Sequence, residues 1–289
     1  MTLILPNTSS VVVSGLRQLL GQAKVRNDVP TLTAYAVDAS IYRMQPQAVV
    51  LAEHEGDIDT VVRFAVERGI PLTPRAAGTN LTGSAIGSGI ILDISKMNRI
   101  LEVNGEERWA RVQPGIVLAE LNKQLGRRNL LFGPDPSSGD MCKLGGMLAN
   151  NSAGPHTLIY GAVKDNVQAM RVCLPSGSWL SASSINLNDP GLDQTLAAHP
   201  SLKPILDLVQ RQRSLIDSKK PTVSKNSCGY NLFGLVDRLS RGVFDLPKLF
   251  VGSEGTLGVV SEATLRLVPK PQGTLTALIH FRRLEEVGE

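Results

Sequence analysis

Aromatic side chains are scarce in this sequence, and clustered positive charge is missing. Phe, Trp and Tyr together make up 4% of the 289 residues, so the core must be built mainly from aliphatic side chains. Lys and Arg number 30 against 26 Asp and Glu, yet no run of basic residues is longer than two. A nucleic-acid-binding surface normally shows a basic stripe with aromatic platforms. The sequence has neither, and it therefore indicates no nucleic-acid partner.

Cysteine is also rare, and its spacing excludes several kinds of site. Cys142, Cys173 and Cys228 show no CxxC or other paired spacing. This pattern argues against a disulfide framework and against a zinc or iron–sulfur site within the chain. We therefore predict no metal site and a reducing compartment, the cytoplasm.

Long apolar runs are missing as well. No segment approaches 18 continuous apolar residues, so no membrane span is predicted, although peripheral membrane association stays open. The segment Met1–Pro6 has no basic residue, and its apolar run is too short for a signal peptide.

The first third of the chain shows alternating helix and strand patterns. Residues 9–27 have apolar side chains at helical spacing, and residues 46–52 form a buried-strand candidate. The run from Ile58 to Val66 repeats with helical period and stops at Gly69, and a short strand follows at 70–73. A strand, a helix and a strand in this order predict a parallel crossover.

After Asn98 the pattern becomes typical of antiparallel strands. A hairpin is predicted over 169–180, and the last strand, near 257–268, alternates apolar and polar residues. The stretch 132–161 reads as a long irregular loop, which is usually functional inside a compact domain. We predict an α+β fold with a small α/β lobe and a larger lobe with a mostly antiparallel sheet. The predicted organisation is a helical lead-in (1–40), a domain (41–270) whose lobes span 41–105 and 106–270, and the start of a further domain (271–289).

The loop from Pro74 to Ser84 contains almost only small residues. Such a loop lets another group approach the backbone, and its free N–H groups suit an anion, above all a phosphate. Gly78 and Gly83 have P-loop spacing, but Ser84 stands where a P-loop requires Lys, so an ATPase is not indicated. A tight turn that binds nothing remains the alternative for this loop alone.

Glycine-rich stretches of this kind occur three times, at Pro74–Ser84, Gly133–Ala153 and Gly252–Gly258. One long ligand that runs between the lobes would explain all three, whereas a short phosphate ester would not require so many. No zincin helix follows His54, and no G-x-S-x-G nucleophile elbow is present.

These stretches resemble the three cofactor loops of the vanillyl-alcohol-oxidase or PCMH-type flavoproteins. The resemblance rests on PRAAGTN at 74–80, on LGGMLANNSAG at 144–154 with Tyr160 and Gly161, and on GSEGTLGVVSEA at 252–263. Their order and spacing match from about residue 40 to about residue 270. Within the superfamily the chain is most similar to D-lactate dehydrogenases, glycolate oxidase and D-2-hydroxyglutarate dehydrogenases, a placement that KNSCGYNL at 225–232 supports.

The resemblance implies a bound FAD whose pyrophosphate lies on the backbone amides of Arg75–Asn80. Relatives that attach FAD covalently through this loop carry a His near the position of Thr79, so we predict non-covalent FAD. The implied cofactor-binding residues are, in the first loop, Pro74, Arg75, Ala76, Ala77, Gly78, Thr79, Asn80, Gly83 and Ser84; in the second, Asp135, Ser137, Ser138, Gly145, Gly146, Asn150, Asn151, Ser152, Ala153, Tyr160 and Gly161; and in the third, Glu254, Gly255, Gly258 and Val259.

The function implied is the FAD-binding part of an oxidoreductase that oxidises a small 2-hydroxy acid by hydride transfer to the flavin. The alternative is an incomplete FAD-binding module that requires a partner, either a C-terminal cap or an Fe–S electron-transfer domain or subunit. A third reading is a flavin-free α/β protein. The catalytic residue stays unknown, because the family's substrate motif would lie beyond Glu289. His156 and Cys142 lie in the long irregular stretch 132–161, where a substrate contact by His156 stays open and Cys142 is expected to be an apolar filler.

Overall fold

The computed structural model describes residues 8–223 and 225–287, so the segment Met1–Pro6 lies outside the described residues. Two large sheets divide the chain into two lobes, as the sequence predicts, and residues 130–131 pair with residues 268–269 in a small third sheet. The elements of the small lobe are α1 (Thr8–Leu20), β1 (Val25–Arg26), α2 (Val29–Tyr35), β2 (Ala48–Leu51), α3 (Glu55–Glu67), β3 (Leu72–Arg75) and β4 (Ile90–Asp93).

The small sheet has the strand order β1-β2-β4-β3. Strands β2 and β3 each pair in parallel with β4, and β1 pairs antiparallel with β2. The predicted crossover through α3 therefore joins parallel strands, but β4 lies between them. The carboxyl end of β3 leads directly into the first glycine-rich loop.

The first helix is shorter in the structure than the apolar pattern over residues 9–27 predicts. Helix α1 ends at Leu20, because Gly21 adopts a left-handed φ of 84° that a helix cannot continue. A 3-10 turn (Gln22–Lys24) and β1 follow. The side chain of Val25 thus reaches the small-lobe core from a strand.

The large lobe is built on a six-stranded antiparallel sheet of order β10-β9-β8-β11-β6-β5. Its elements in chain order are β5 (Ile100–Asn104), β6 (Trp109–Val112), α4 (Leu118–Gly126), β7 (Leu130–Leu131), α5 (Leu144–Ala149), α6 (Thr157–Tyr160), β8 (Val167–Cys173), β9 (Trp179–Asn186), α7 (Leu192–Ala198), α8 (Leu202–Arg211), α9 (Arg213–Ser218), α10 (Leu232–Leu239), β10 (Val243–Asp245), α11 (Pro247–Phe250), β11 (Val259–Arg266) and β12 (Val268–Pro269).

The alternation predicted for the last strand is confirmed in β11. Val259, Ser261, Ala263 and Leu265 are buried, and the residues between them are partly exposed. Strand β11 lies in the middle of the large sheet, between β8 and β6. The predicted α+β fold, with its mostly antiparallel larger sheet, is therefore confirmed.

The stretch 132–161 is less irregular than predicted, because it contains the short helices α5 and α6. Leu144, Met147 and Leu148 are buried at helical spacing and anchor α5 in the large-lobe core. Its two glycines hide this spacing in the sequence. The residues that follow β12 are largely exposed, and the domain limits remain a prediction.

The two lobes share buried surface. Cys173 at the end of β8 and Val259 at the start of β11 belong to the apolar cluster of the small lobe. Arg171 on β8 donates to Glu55 on α3 at 2.7 Å, and the buried hydroxyl of Ser261 donates to the same carboxylate oxygen at 2.6 Å. These contacts fix α3 against the large sheet.

Candidate functional site

The three glycine-rich stretches meet at one place between the lobes. The N–H groups of Gly252 and Glu254 donate to the carbonyls of Leu148 and Ala149, at 2.9 and 3.0 Å, which joins the third stretch to the second. Ser84 Oγ lies 3.5 Å from Asn150 Oδ1 and joins the first stretch to the second. Stretches that are far apart in sequence thus form the walls of one cleft.

The cleft has a volume of about 750 Å³ and is open to solvent. Most of the residues predicted for the cofactor site line it, from all three stretches: Pro74, Arg75, Ala76, Ala77, Gly78, Thr79, Asn80, Ser84, Gly145, Gly146, Asn150, Glu254, Gly255 and Gly258.

The first loop presents a row of free backbone donors to the cleft. From Ala76 to Asn80, no backbone N–H donates a hydrogen bond to another group in the described part of the chain. Gly78 has a left-handed φ of 70°, which turns the chain within this row. Consecutive free N–H groups in such a turn form an anion-binding concavity, so the loop fits a pyrophosphate.

The loop is held in this shape by Asp38 and Asn80. Asn80 Nδ2 donates to Asp38 Oδ2 at 2.9 Å, and Asn80 Oδ1 accepts from the N–H of Ser84 at 3.0 Å. Burial of Asp38 opposes its charge, but the hydrogen bonds from Ser40, Asn80 and Ala85 outweigh burial and lower the pKa of Asp38 below its ordinary value. The carboxylate is therefore the form that fixes the loop.

Arg75 supports the loop from behind. Its Nη1 donates to the backbone carbonyl of Val37 at 2.8 Å and to those of Tyr35 and Ala85 at 3.3 Å. Burial lowers the pKa of the Arg75 guanidinium. A Cβ added at Gly78 would lie 2.6 Å from Arg75 Nη2. The guanidinium thus packs against the turn and places positive charge next to the free N–H groups.

A second network connects the small sheet to the same loop. The Tyr35 hydroxyl donates to Asp93 Oδ2, and Asp93 Oδ1 accepts from the N–H of Ser95 at 2.6 Å. Ser95 Oγ in turn donates to the carbonyl of Ala76 at 3.1 Å. Burial and the bond to Asp93 raise the pKa of Tyr35 well above its usual range, so its hydroxyl keeps its proton.

Gly146 marks open space in the second wall. It lies in the first turn of α5 and lines the cleft, and a Cβ added there would meet no atom within 4 Å. A helical position with room for a side chain is normally better filled by alanine than by glycine. The free space around Gly146 in the cleft therefore suits a ligand that approaches the backbone at this residue.

Ten predicted residues lie outside the cleft lining. The buried Asn151 accepts from the N–H of Lys164 at 3.0 Å, and Val259 faces a neighbouring apolar cavity. Gly161, with a φ of 75°, follows α6 directly. The others are Gly83, Asp135, Ser137, Ser138, Ser152, Ala153 and Tyr160. Cofactor contacts by these residues remain predictions.

His156 and Asp135 form a pair beside the second stretch. His156 Nδ1 lies 2.5 Å from Asp135 Oδ2, and the backbone N–H of His156 donates to Asp135 Oδ1 at 3.2 Å. The His156 side chain is 58% exposed. The pair lies outside the cleft lining, and its contact with a substrate stays open.

Several lining residues were not predicted from the sequence. Leu148, Ala149, Ser253 and Val260 lie within the quoted motifs, so inclusion of the whole motifs would have found them. Ile94 and Phe250 are apolar residues of ordinary appearance, and Ala85 follows the first loop. Only the tertiary arrangement brings these three residues to the cleft.

The cysteines behave as buried apolar residues, with one exception. Burial raises the pKa of the Cys142 thiol, and that of Cys173 to about 11, whereas Cys228 is exposed. Within residues 8–223 and 225–287 no group of His, Cys, Asp and Glu has an arrangement that could hold a metal ion. No helix of the described chain is long and apolar enough to span a bilayer.

The fold and the cleft define a two-lobed protein whose cleft suits an elongated, phosphate-containing ligand. Comparison with known proteins gives the family. Residues 46–183 match the family of the FAD binding domain. A solved structure of alkyldihydroxyacetonephosphate synthase shares the fold, with a TM-score of 0.65 and 21% identity; the match covers 94% of this chain and 43% of that one.

The curated relatives include flavoenzymes of the predicted subgroup. The chain is 35% identical over 280 residues to D-2-hydroxyglutarate dehydrogenase of Pseudomonas putida, a match that covers 93% of this chain and 27% of that enzyme. It is 30% identical over 258 residues to the glycolate oxidase subunit GlcD of Bacillus subtilis, which covers 88% of this chain and 44% of that subunit. Residues 46–183 are therefore similar to the FAD-binding domains of these proteins, and the cofactor is FAD. The chain spans less than half the length of these relatives.

Proposed function

We propose that this chain is the FAD-binding portion of a dehydrogenase or oxidase that acts on a small 2-hydroxy acid. The observation that carries the proposal is the convergence of three loops on one cleft, with the N–H groups of residues 76–80 free to bind a pyrophosphate. The names of the relatives support a substrate of the D-2-hydroxyglutarate, D-lactate or glycolate type.

In this function the chain's own residues bind and orient the cofactor. The backbone of the first loop holds the pyrophosphate, while Arg75 and Asp38 keep that loop in shape. The absence of a side chain at Gly146 and Gly255 leaves the cleft open to the length of the cofactor. A bound FAD would supply the acceptor for the hydride that leaves the substrate carbon. Thr79 stands where covalently linked relatives carry His, which supports non-covalent binding.

The substrate pocket and the base that takes the hydroxyl proton are proposed to lie in a further domain or a partner. The chain matches only 27% and 44% of the length of the two relatives, which supports a cap domain or an Fe–S subunit as the further component. A cytoplasmic location is proposed as well, and the three cysteines without disulfides support it.

Anaerobic reduction of the bound flavin tests the proposal. The FAD-loaded chain is mixed separately with D-2-hydroxyglutarate, D-lactate and glycolate, and bleaching of the flavin absorbance is followed. Bleaching by one acid assigns the complete activity to this chain. If every acid leaves the flavin oxidised, the chain alone is the binding module. If the longer protein or the partner complex also leaves it oxidised, the 2-hydroxy acid assignment is wrong.

A further inference from the structure

A second cavity on the large lobe is lined by an excess of positive charge. It lies between the turn before β8 and the helices α10 and α11, is open to solvent and has a cavity volume of about 360 Å³. We call it the basic pocket and define it by its cationic side chains: Lys164, Lys220, Arg238, Arg241 and Lys248. Asp165 and Asp237 are the carboxylates among its lining residues.

Three of the cations have no carboxylate partner within the described part of the chain. Lys164 Nζ donates to the backbone carbonyl of Asn226 at 2.7 Å, and Lys248 Nζ donates to the carbonyl of Lys164 at 3.2 Å. A carbonyl satisfies a donor but does not neutralise it. Arg241 is exposed and, within the described residues, forms no ion pair. The positive charge of these three side chains is therefore available to a ligand.

The nearby carboxylates already have partners. Asp237 pairs with Lys220 at 3.0 Å, and Asp245, which is not part of the pocket lining, lies 3.2 Å from Arg238 Nε. Asp165 Oδ2 accepts from the backbone N–H of Ala162 at 3.0 Å. These contacts account for two of the five cations, so the pocket retains a net positive charge.

A buried amide adds a neutral donor. Asn231 is 8% exposed and lines the pocket, and its Oδ1 accepts from the N–H of Gly234 at 3.3 Å. Its Nδ2 donates to no group in the described chain and is not enclosed by protein, so it is open to a ligand. Cationic groups together with an amide donor are the groups that recognise carboxylate or phosphate oxygens.

We propose that the basic pocket binds a small multivalent oxyanion, either an organic di- or tricarboxylate or a phosphate. Its volume lies in the range of small-molecule sites, about 300–1,000 Å³. The cations converge from separate elements on one concavity and do not follow a surface stripe, which favours a small ligand over a polymer. The basic-pocket cations lie outside the lining of the FAD cleft, so this is a separate site.

Calorimetric titration of the full chain at low salt tests the proposal, with citrate, glutarate, inorganic phosphate and acetate as probes. The titrations are run with and without saturating FAD, so that phosphate binding in the cleft is recognised. We expect citrate or phosphate to bind at least tenfold more tightly than acetate, with or without FAD. Tighter binding of citrate or glutarate identifies a carboxylate ligand, and tighter binding of inorganic phosphate identifies a phosphate ligand.

Charge reversal identifies the site. Arg241→Glu is expected to weaken binding of the preferred probe at least tenfold and to leave FAD affinity unchanged, and Arg241→Gln is the milder variant should Arg241→Glu not fold. Arg211→Glu, on the exposed end of α8, makes the same change in net charge and should alter binding less than twofold. Equal losses in both reversals, or no preference over acetate, would each overturn the proposal.

Discussion

At the scale of single residues, the first loop depends on the backbone conformation of Gly78. Its φ of 70° lies in the left-handed region, and an added Cβ would lie 2.6 Å from Arg75 Nη2. That guanidinium is fixed by the carbonyls of Tyr35, Val37 and Ala85, so it cannot move aside without loss of these bonds. A side chain at this position therefore disturbs the row of free N–H groups.

Gly78→Leu is expected to weaken FAD binding at least tenfold, because it deforms the loop and fills the place of the phosphate. Equilibrium dialysis against FAD measures the effect. Gly69→Leu is the matched control, since Gly69 has a φ of 61° and open space around it at the end of α3. Both variants bear the left-handed strain of about 1–2 kcal/mol. Equal FAD affinity of the two would mean that the loop does not hold the pyrophosphate.

Asp38 acts on the same loop through its carboxylate. Asp38→Ala removes the acceptor for Asn80 Nδ2 and for the N–H groups of Ser40 and Ala85. We expect a loss of about 1–3 kcal/mol in the free energy of unfolding, measured with urea. Because the pKa of Asp38 is lower in the folded chain, its stabilising contribution is present above about pH 4 and is lost as the pH falls through the folded-state pKa.

The control for this change is Asp189→Ala. Asp189 also accepts a backbone N–H two residues on, from Gly191 at 2.7 Å, but in an exposed turn far along the large lobe. It should cost less stability than Asp38→Ala and leave FAD binding unchanged. If both variants lost FAD equally, the role of Asp38 in shaping the loop would be wrong.

At the scale of elements, periodic apolar residues predicted the secondary structure well, and glycine accounts for the errors. The alternating strand β11 and the helix α3 follow from their apolar spacing alone. Gly21 ends α1 early because of its positive φ, and two glycines inside α5 made a helix look like a loop. A glycine permits several conformations, so the sequence cannot say which one the tertiary contacts select.

The residues of the candidate site also fall into those that the sequence predicts and those that it does not. Loop residues from all three motifs could be predicted from resemblance, because the motifs lie in order along the chain. Ile94 and Phe250 could not, since ordinary apolar residues reach the cleft only through the packing of β4 and α11. The role of the Arg75 side chain also required the structure, because its partners lie 38 and 40 residues earlier in the chain.

At the scale of the whole molecule, the cleft depends on the fixed placement of one lobe against the other. Glu55 on α3 accepts from Arg171 on β8 and from the fully buried hydroxyl of Ser261 on β11. Removal of this carboxylate leaves a buried hydroxyl with only a weak contact, 3.4 Å to the carbonyl of Arg171. The junction between the lobes should therefore be sensitive to this single side chain.

Glu55→Ala is expected to lower the free energy of unfolding by about 1–3 kcal/mol in a urea titration. Glu67→Ala, at the other end of the same helix, removes an exposed carboxylate that pairs with the neighbouring Arg68 at 3.3 Å. An exposed pair of this kind contributes about 0–1 kcal/mol. A Glu55→Ala variant no less stable than Glu67→Ala would show that the cluster does not hold the lobes together.

The central claim is that the backbone of the three loops holds FAD in the cleft, and FAD titration of Gly146→Leu tests it most directly. An added Cβ at Gly146 meets nothing in the protein and leucine favours a helix, so the apoprotein should melt at the same or a higher temperature. FAD affinity should fall at least tenfold, while the matched helical variant Gly56→Leu, outside the cleft, should bind FAD like the parent chain. Undiminished FAD affinity of a folded Gly146→Leu protein would contradict the account.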